Sequence, residues 1–144
     1  MPSFEERAGL YKSESEAFQE YLKGLPAEAW GRQSACDEWL VGDVVAHLVG
    51  NSEFYAGTVA RGLQGESYPP EGRPKAGEGH PSISAAALAK SSIAAKERLG
   101  DQLLSTFIEK DNILINLLTG LSAKDQTKPC YHPGSIVPAG NFVD

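Results

Sequence analysis

The sequence is poor in the features that mark membrane, secreted and nucleic-acid-binding proteins. No apolar run approaches the roughly 20 residues that span a bilayer. The first residues lack the basic and apolar segments of a secretion signal. Lysine and arginine do not cluster, and the formal net charge is -6, which disfavours nucleic acid and anionic membrane surfaces. We therefore expect a cytoplasmic protein with no nucleic-acid partner and no membrane partner.

Cysteine is scarce as well, since Cys36 and Cys130 are the only two. They lack the C-x-x-C spacing of redox and zinc-knuckle motifs, and cytosolic thiols stay reduced. Nowhere does the sequence keep the strict two-residue alternation of paired strands. Its length suits one domain with a sizeable core, so we expect residues 1–144 to form a single all-α domain.

Apolar residues instead recur at three- and four-residue steps, which is typical of amphipathic helices. Ser3 and Glu6 have the spacing of a capping box, and they predict a first helix over about residues 3–23. The connector that follows holds both tryptophans, Trp30 and Trp39. We expect these two large rings to cover one end of the bundle, because each buries a wide apolar area.

Two further helical stretches follow the connector. The second helix should begin at Gly42 or Asp43 and run to residues 63–65, with an acidic first turn that suits the helix dipole. The third stretch is strongly apolar in its second half and should close at Gly120. As one rod of about 40 residues it would be about 60 Å long. We therefore expect a kink or break near Gly100.

Two stretches rich in proline and glycine predict irregular backbone. Residues 64–81 should form one long surface loop. Such loops often lie over a functional pocket, and a merely mobile loop is an equal alternative. Ser82 or Ser84 then caps the third helix. Residues 124–144 are also expected to be loop, which leaves an antiparallel helix bundle as the predicted architecture.

Two segments carry a family resemblance. Residues 25–30 read Leu-Pro-Ala-Glu-Ala-Trp, and residues 39–50 read Trp-Leu-Val-Gly-Asp-Val-Val-Ala-His-Leu-Val-Gly. Together they resemble the N-terminal domain of mycothiol-dependent maleylpyruvate isomerase, which belongs to the DinB-like superfamily. Residues 121–143, with Tyr-His-Pro-Gly at 131–134, are similar to the stretch that leads into the last helix of that family. The resemblance covers most of the chain.

The resemblance implies a four-helix bundle that binds a divalent metal, zinc or nickel, through a histidine of the second helix. That histidine is His47 here. The resemblance also implies a Glu-x-x-x-His segment on the last helix, and the sequence contains none before Asp144. We therefore expect a DinB-like antiparallel bundle that lacks the last helix of the family and is completed by a homodimer. The alternative is that the sequence is a fragment of a longer protein.

The residues around His47 have spacings that suit a site. Asp43 and Asn51 stand one helical turn before and after it, so all three can share a face. Asp43 is expected to orient the imidazole from behind, as carboxylates do for metal-bound histidines. The alternative is a partly buried histidine with an internal hydrogen bond and no ligand.

Other candidate ligands lie in the predicted loops. His80 and His132 either fold back toward His47 or stay in solvent, and Cys130 has no zinc-type spacing from His132. We therefore expect a metal-binding type of helical domain with an incomplete metal site and no assigned catalysis. A metal-dependent, thiol-cofactor-dependent transferase or isomerase is the alternative, and a small molecule or thiol is the expected ligand.

Overall fold

The computed structural model describes residues 1–78 and 85–144, without the side chains of Ala85 and Ala86. Its four main helices are α1 (Phe4–Lys23), α2 (Val41–Leu63), α3 (Ala85–Leu99) and α4 (Leu103–Thr119). The smaller elements are three 3-10 turns (Ala27–Gly31, Gly100–Gln102, Ala139–Val143), helix α5 (Ala123–Gln126) and strands β1 (Pro129–His132) and β2 (Ser135–Pro138). The predicted helical fold class is confirmed. His80, Ser82 and Ser84 lie outside the described residues.

The start of α1 is fixed by the predicted capping box. The Ser3 hydroxyl accepts a hydrogen bond from the Glu6 backbone N–H at 3.1 Å, and the Glu6 carboxylate accepts one from the Ser3 N–H at 2.7 Å. Each bond satisfies an N–H group that the helix itself leaves unpaired. The predicted first helix over residues 3–23 is confirmed.

The expected interruption of the long third stretch is also confirmed. Gly100 has a φ of +51°, a left-handed conformation that glycine adopts without steric cost. The chain passes through a 3-10 turn there and continues as α4, which Gly120 closes. Two helices of ordinary length therefore replace one rod.

Helix α2 is the centre of the packing, since it contacts α3, α4 and β1, while α1 packs on α4. One core cluster lies near the C-terminal ends of α2 and α4 and around the hairpin, and its most buried members are Val59, Leu118, Cys130 and Ala139. A second cluster lies toward the start of α2, and Trp30 packs against it. Among the residues the structure describes, no helix is both long and apolar enough to cross a membrane.

The prediction that residues 124–144 form a loop is wrong. Strands β1 and β2 pair as an antiparallel hairpin with Cys130 opposite Val137. Cys130 and Tyr131 have no solvent exposure, so burial against α2 stabilises strands that are too short to show an alternating pattern. The small sheet is an addition to the predicted all-α fold.

The hairpin also holds the long loop in place. In the described part of that loop, residues 64–78, no helix or strand forms, as predicted. The Tyr131 hydroxyl donates a hydrogen bond to the Pro74 carbonyl at 2.8 Å, and the Gly77 N–H donates one to the Pro133 carbonyl at 3.1 Å. These bonds keep the loop beside α2.

Candidate functional site

The beginning of α2 places His47 in the fold. Leu40 precedes the helix, and its N–H donates a hydrogen bond to Asp43 Oδ2 at 2.8 Å. Asp43 Oδ1 lies 2.9 Å from the ammonium of Lys96 on α3, and the Asp43 side chain is only 3% exposed. Both carboxylate oxygens are engaged away from His47. The prediction that Asp43 orients the imidazole is therefore wrong; this residue caps α2 and ties it to α3.

His47 itself lies one turn inside α2 with two close neighbours. The Trp39 ring stands against it, with centroids 4.9 Å apart and ring planes inclined by 38°. Asn51 Nδ2 lies 3.2 Å from His47 Nε2, so the expectation that these two residues share a face is confirmed. This hydrogen bond at the Nε2 edge limits rotation of the imidazole. Partial burial lowers the pKa of His47, because desolvation penalises the imidazolium.

Trp39 is held by the connector that contains it. The Gln33 side-chain amide donates hydrogen bonds to the carbonyls of Cys36 at 2.8 Å and Trp39 at 3.0 Å. The Ser34 hydroxyl donates another to the Trp39 carbonyl at 2.7 Å. The Trp39 indole N–H is buried and has no acceptor among the described residues. Trp39 therefore stands against the imidazole of His47 and belongs to neither core cluster, whereas Trp30 packs against the second cluster. That Trp39 covers one end of the bundle stays a prediction.

A cleft of about 620 Å³ lies between α2, α3 and the turn of the hairpin. The side chains that matter for its chemistry are His47, Asn51, Phe54, Arg73, Ser92 and Arg98. Its volume is in the usual range for small-molecule sites. His47 therefore combines a fixed orientation with access to a cavity.

Residues 11–111 match the family model for the mycothiol maleylpyruvate isomerase N-terminal domain. The chain belongs to this family. Its superfamily is the DinB-like one, as the residues around His47 predict. The matched range contains most of α1, all of α2 and α3 and the first half of α4. It therefore includes the whole lining of the His47 cleft except the hairpin turn.

Two solved structures have the same fold. They are crystal structures of the mycothiol-dependent maleylpyruvate isomerase and of a histidine-to-alanine mutant of it. Both have a TM-score of 0.76, at 17% and 16% sequence identity. Each alignment covers 99% of this chain and 55% of the solved chain, so this chain spans about half the length of those proteins. No functionally curated protein matches the sequence.

The side chains of this family member do not fit a zinc site built from the described residues. Structural and catalytic zinc sites use at least three protein ligands. Within residues 1–78 and 85–144, no group of three His, Cys, Asp or Glu side chains could hold a metal ion. Asn51 occupies Nε2 of His47, and Asp43 is engaged by Leu40 and Lys96.

The two other candidate ligands that the structure describes, His132 and Cys130, make their contacts elsewhere. His132 stacks on Tyr55, with ring centroids 5.9 Å apart, and its Nδ1 accepts a hydrogen bond from the Gly134 N–H. It lines a second, smaller cavity of about 450 Å³. Cys130 is fully buried, and this burial raises the pKa of its thiol, which disfavours the metal-binding thiolate.

Arg73 and Arg98 are the functional candidates that sequence reasoning missed. Arg73 stands in the proline- and glycine-rich loop, and Arg98 ends an alanine-rich helix with a thin apolar face. Neither position has a periodic or motif signal. Only the tertiary fold brings these two residues to the same cleft as His47.

Proposed function

We propose that this chain is a small-molecule-binding helical domain of the DinB-like superfamily. Its binding site is the cleft between α2 and α3, and His47 is the side chain that contacts the ligand. One observation carries this proposal: the imidazole is held between Trp39 and Asn51 while it lines a cavity of about 620 Å³. A polar group in a fixed orientation within a partly apolar cavity is what ligand recognition requires.

The neutral imidazole suits a small polar or thiol ligand. Burial lowers the pKa of His47, so the ring is uncharged near pH 7 and offers a hydrogen bond without a competing counter-ion. Asn51 and Ser92 also line the cleft and supply further hydrogen-bonding groups. The apolar part of the lining includes Phe54 and Leu88.

A second candidate is a metal-dependent transferase or isomerase that uses a thiol cofactor. Family membership and the names of the matching structures favour it. In that case His47 is one ligand of zinc or nickel, and the remaining ligands come from outside the described residues. The described residues alone favour the metal-free alternative.

Ligand binding is tested with the Trp30→Phe variant, in which Trp39 is the only tryptophan. Addition of mycothiol should change the Trp39 fluorescence along a saturating curve, because the indole lies against His47. Adding His47→Ala should abolish the change, and the matched substitution His132→Ala should preserve it. A response that is absent, or that survives loss of His47, contradicts the proposal.

The two candidates are separated by metal analysis of protein purified without a histidine tag. The first candidate predicts no stoichiometric zinc or nickel and an unfolding temperature that a chelator leaves unchanged. Stoichiometric metal that disappears in His47→Ala and persists in His132→Ala supports the second candidate instead.

We further propose a homodimer in the cytoplasm. Leu10 and Tyr21 lie three turns apart on one face of α1, and both are exposed, as is Ile113 on the neighbouring α4. Covering such a face in a second copy removes apolar area from water. Light scattering at micromolar concentrations should give twice the chain mass, and the double substitution Leu10→Lys with Tyr21→Lys should halve the measured mass. A wild-type monomer contradicts the dimer.

The proposed compartment is supported by the cysteines. Both are free, which fits a reducing compartment such as the cytoplasm.

A further inference from the structure

The long loop after α2 is fixed to that helix at its root. Arg61 lies near the end of α2, and its Nε stands 3.4 Å from the Glu66 carboxylate. The same guanidinium donates a hydrogen bond to the Tyr68 carbonyl at 3.2 Å and lies 4.7 Å from the centre of the Tyr68 ring. One arginine therefore holds the loop against α2 as far as Tyr68, so movement relative to the helix is easiest beyond that residue.

Two tight turns shape the tip of the loop, which we define as residues 70–78. In turns 70–73 and 75–78, the N–H of the fourth residue donates a hydrogen bond to the carbonyl of the first, at 3.0 Å and 3.1 Å. The third residues, Gly72 and Gly77, have φ angles of +78° and +82°. This combination is typical of type II turns. Because each turn is closed by its own backbone bond, the tip can move as a unit.

The tip is fastened to two aromatic rings that contact each other. The guanidinium carbon of Arg73 lies 4.5 Å from the centre of the Phe54 ring on α2. The Tyr131 hydroxyl donates a hydrogen bond to the Pro74 carbonyl at 2.8 Å. The two rings pack edge to face with centroids 6.3 Å apart, and Tyr131 is fully buried. Both fastenings therefore end on parts of the fold that do not belong to the loop.

The fastened tip forms part of the wall of the His47 cleft. Arg73 lines the cleft, and so does Pro133 of the hairpin turn, whose carbonyl accepts the hydrogen bond from Gly77. Arg73 is only half-buried and Gly77 is exposed. Single hydrogen bonds and cation–π contacts are weak where water competes with them. Backbone held in this way opens locally while the core stays folded.

We propose that residues 70–78 are a lid of the His47 cleft, that the lid is closed in this structure, and that its opening controls ligand entry. The latch consists of Arg73 on Phe54 and of Pro74 on Tyr131. Loops that close over a site in this way exclude water and retain the bound ligand. This inference rests on the proposed function, because it names how access to the same cleft is regulated.

Two substitutions should release the latch. Tyr131→Phe removes one hydroxyl and keeps the buried ring, and Arg73→Met removes the guanidinium and keeps an apolar stem. Tyr21→Phe and Arg32→Met are the matched controls, since both side chains are exposed and lie outside the loop. Urea unfolding first establishes that each variant is folded. Arg73→Met changes a loop residue, so it keeps the test available if Tyr131→Phe fails to fold.

Brief digestion of the full chain with trypsin measures opening of the lid. Trypsin cleaves after Lys75 but not after Arg73, because a proline follows Arg73. A closed tip does not fit the protease, so the cleavage rate follows the open fraction. Each latch variant should raise the rate at Lys75 about fivefold, as loss of one weak contact does. Cleavage after Lys12 in α1 reports general unfolding and should not change.

Reaction of His47 with diethyl pyrocarbonate measures access to the cleft without any ligand. This reagent acylates a neutral imidazole that it can reach, and peptide mass analysis identifies the modified histidine. Modification of His47 should accelerate in both latch variants by about the same factor as cleavage at Lys75. The two control variants should leave both rates at the wild-type value.

Several results would overturn the lid. They are an unchanged rate at Lys75 in a folded latch variant, equal acceleration at Lys12 or in the controls, and faster cleavage with unchanged modification of His47. If cleavage and modification both rise while mycothiol gives no His47-dependent fluorescence change, the lid stands and the proposed function fails. If mycothiol gives that change while neither rate rises, the proposed function stands and the lid is wrong.

Discussion

The indole ring of Trp39 covers one face of the His47 imidazole at a centroid distance of 4.9 Å. This contact contributes to the burial that lowers the pKa of His47. Trp39→Ala should therefore raise the pKa of His47 toward its ordinary value of about 6.5. Proton NMR titration of the three histidines measures the change. Trp30→Phe is the control, and an unshifted His47 resonance in Trp39→Ala would contradict this prediction.

The same burial has a consequence for stability. The folded pKa of His47 lies below its unfolded value, so the unfolded chain binds more protons near that range. The contribution of His47 to the free energy of unfolding is then fully present above about pH 6.5. This contribution is lost as the pH falls through the pKa of His47 in the folded state. His47→Ala should flatten the pH dependence of urea unfolding in that window, and an unchanged pH dependence would contradict this prediction.

The pair formed by Lys96 and Asp43 gives a second prediction. Lys96→Met keeps a stem beside Gly42 and leaves the buried Asp43 carboxylate without its ammonium. Loss of one partner of a buried pair costs roughly 3 kcal/mol, measured by urea unfolding. Lys12→Met is the control, since Lys12 forms an exposed pair with Glu16 and should cost less than about 0.5 kcal/mol. Equal losses in the two variants would show that the pair does not anchor α3.

Gly62 lies against the first strand of the hairpin. A Cβ at this position would meet the Cys130 sulfur and the Pro129 carbonyl, the latter at 2.8 Å. Gly62→Ala must displace β1 and should cost about 1–3 kcal/mol. Gly57→Ala, in the same helix with nothing within 4 Å, should instead gain up to about 1 kcal/mol. Thermal unfolding of both variants gives the comparison, and a neutral Gly62→Ala would refute the tight contact.

Asp111 is a buried carboxylate between α1 and α4. It accepts a hydrogen bond from the Gln19 amide at 2.7 Å, and burial raises its pKa despite that bond. The folded state therefore binds a proton more readily than the unfolded state, and stability falls as the pH rises through this pKa. Asp111→Asn keeps an acceptor for Gln19 and removes the charge.

We expect Asp111→Asn to stabilise the protein at pH 7 by about 1 kcal/mol and to abolish the loss of stability with rising pH in the acidic range. Urea unfolding between pH 4 and pH 7 measures both effects. Asp101→Asn, an exposed change of the same kind, should have neither effect. A less stable Asp111→Asn at pH 7 would mean that the ionised carboxylate is favourable in the folded state.

The helices could be predicted from the sequence because their signals are local. The capping box at Ser3 and Glu6, the apolar stripes and the left-handed Gly100 all act within a few residues of where they stand. The position of His47 on α2 follows from the same periodicity. The family resemblance rests on this continuous segment as well.

The remaining features depend on tertiary contacts that periodicity does not encode. Strand β1 begins at Pro129 and strand β2 ends at Pro138, and prolines at these positions make the sequence look like that of a loop. Only the burial of Cys130 and Tyr131, which the fold determines, indicates strands. The Pro133-Gly134 dipeptide was the one available turn signal. The true partner of Asp43 could not be predicted either, since Lys96 lies on another helix.

In the hairpin, the residue that lines the cleft is different from the residues that anchor the hairpin in the core. Pro133 lines the cavity at the turn, whereas Cys130 and Tyr131 hold the strand in the core. Exposed turns accept insertions and replacements more readily than buried strands. A replacement confined to these turn residues would therefore reshape the opening of the cleft and leave the helices that form its other walls unchanged.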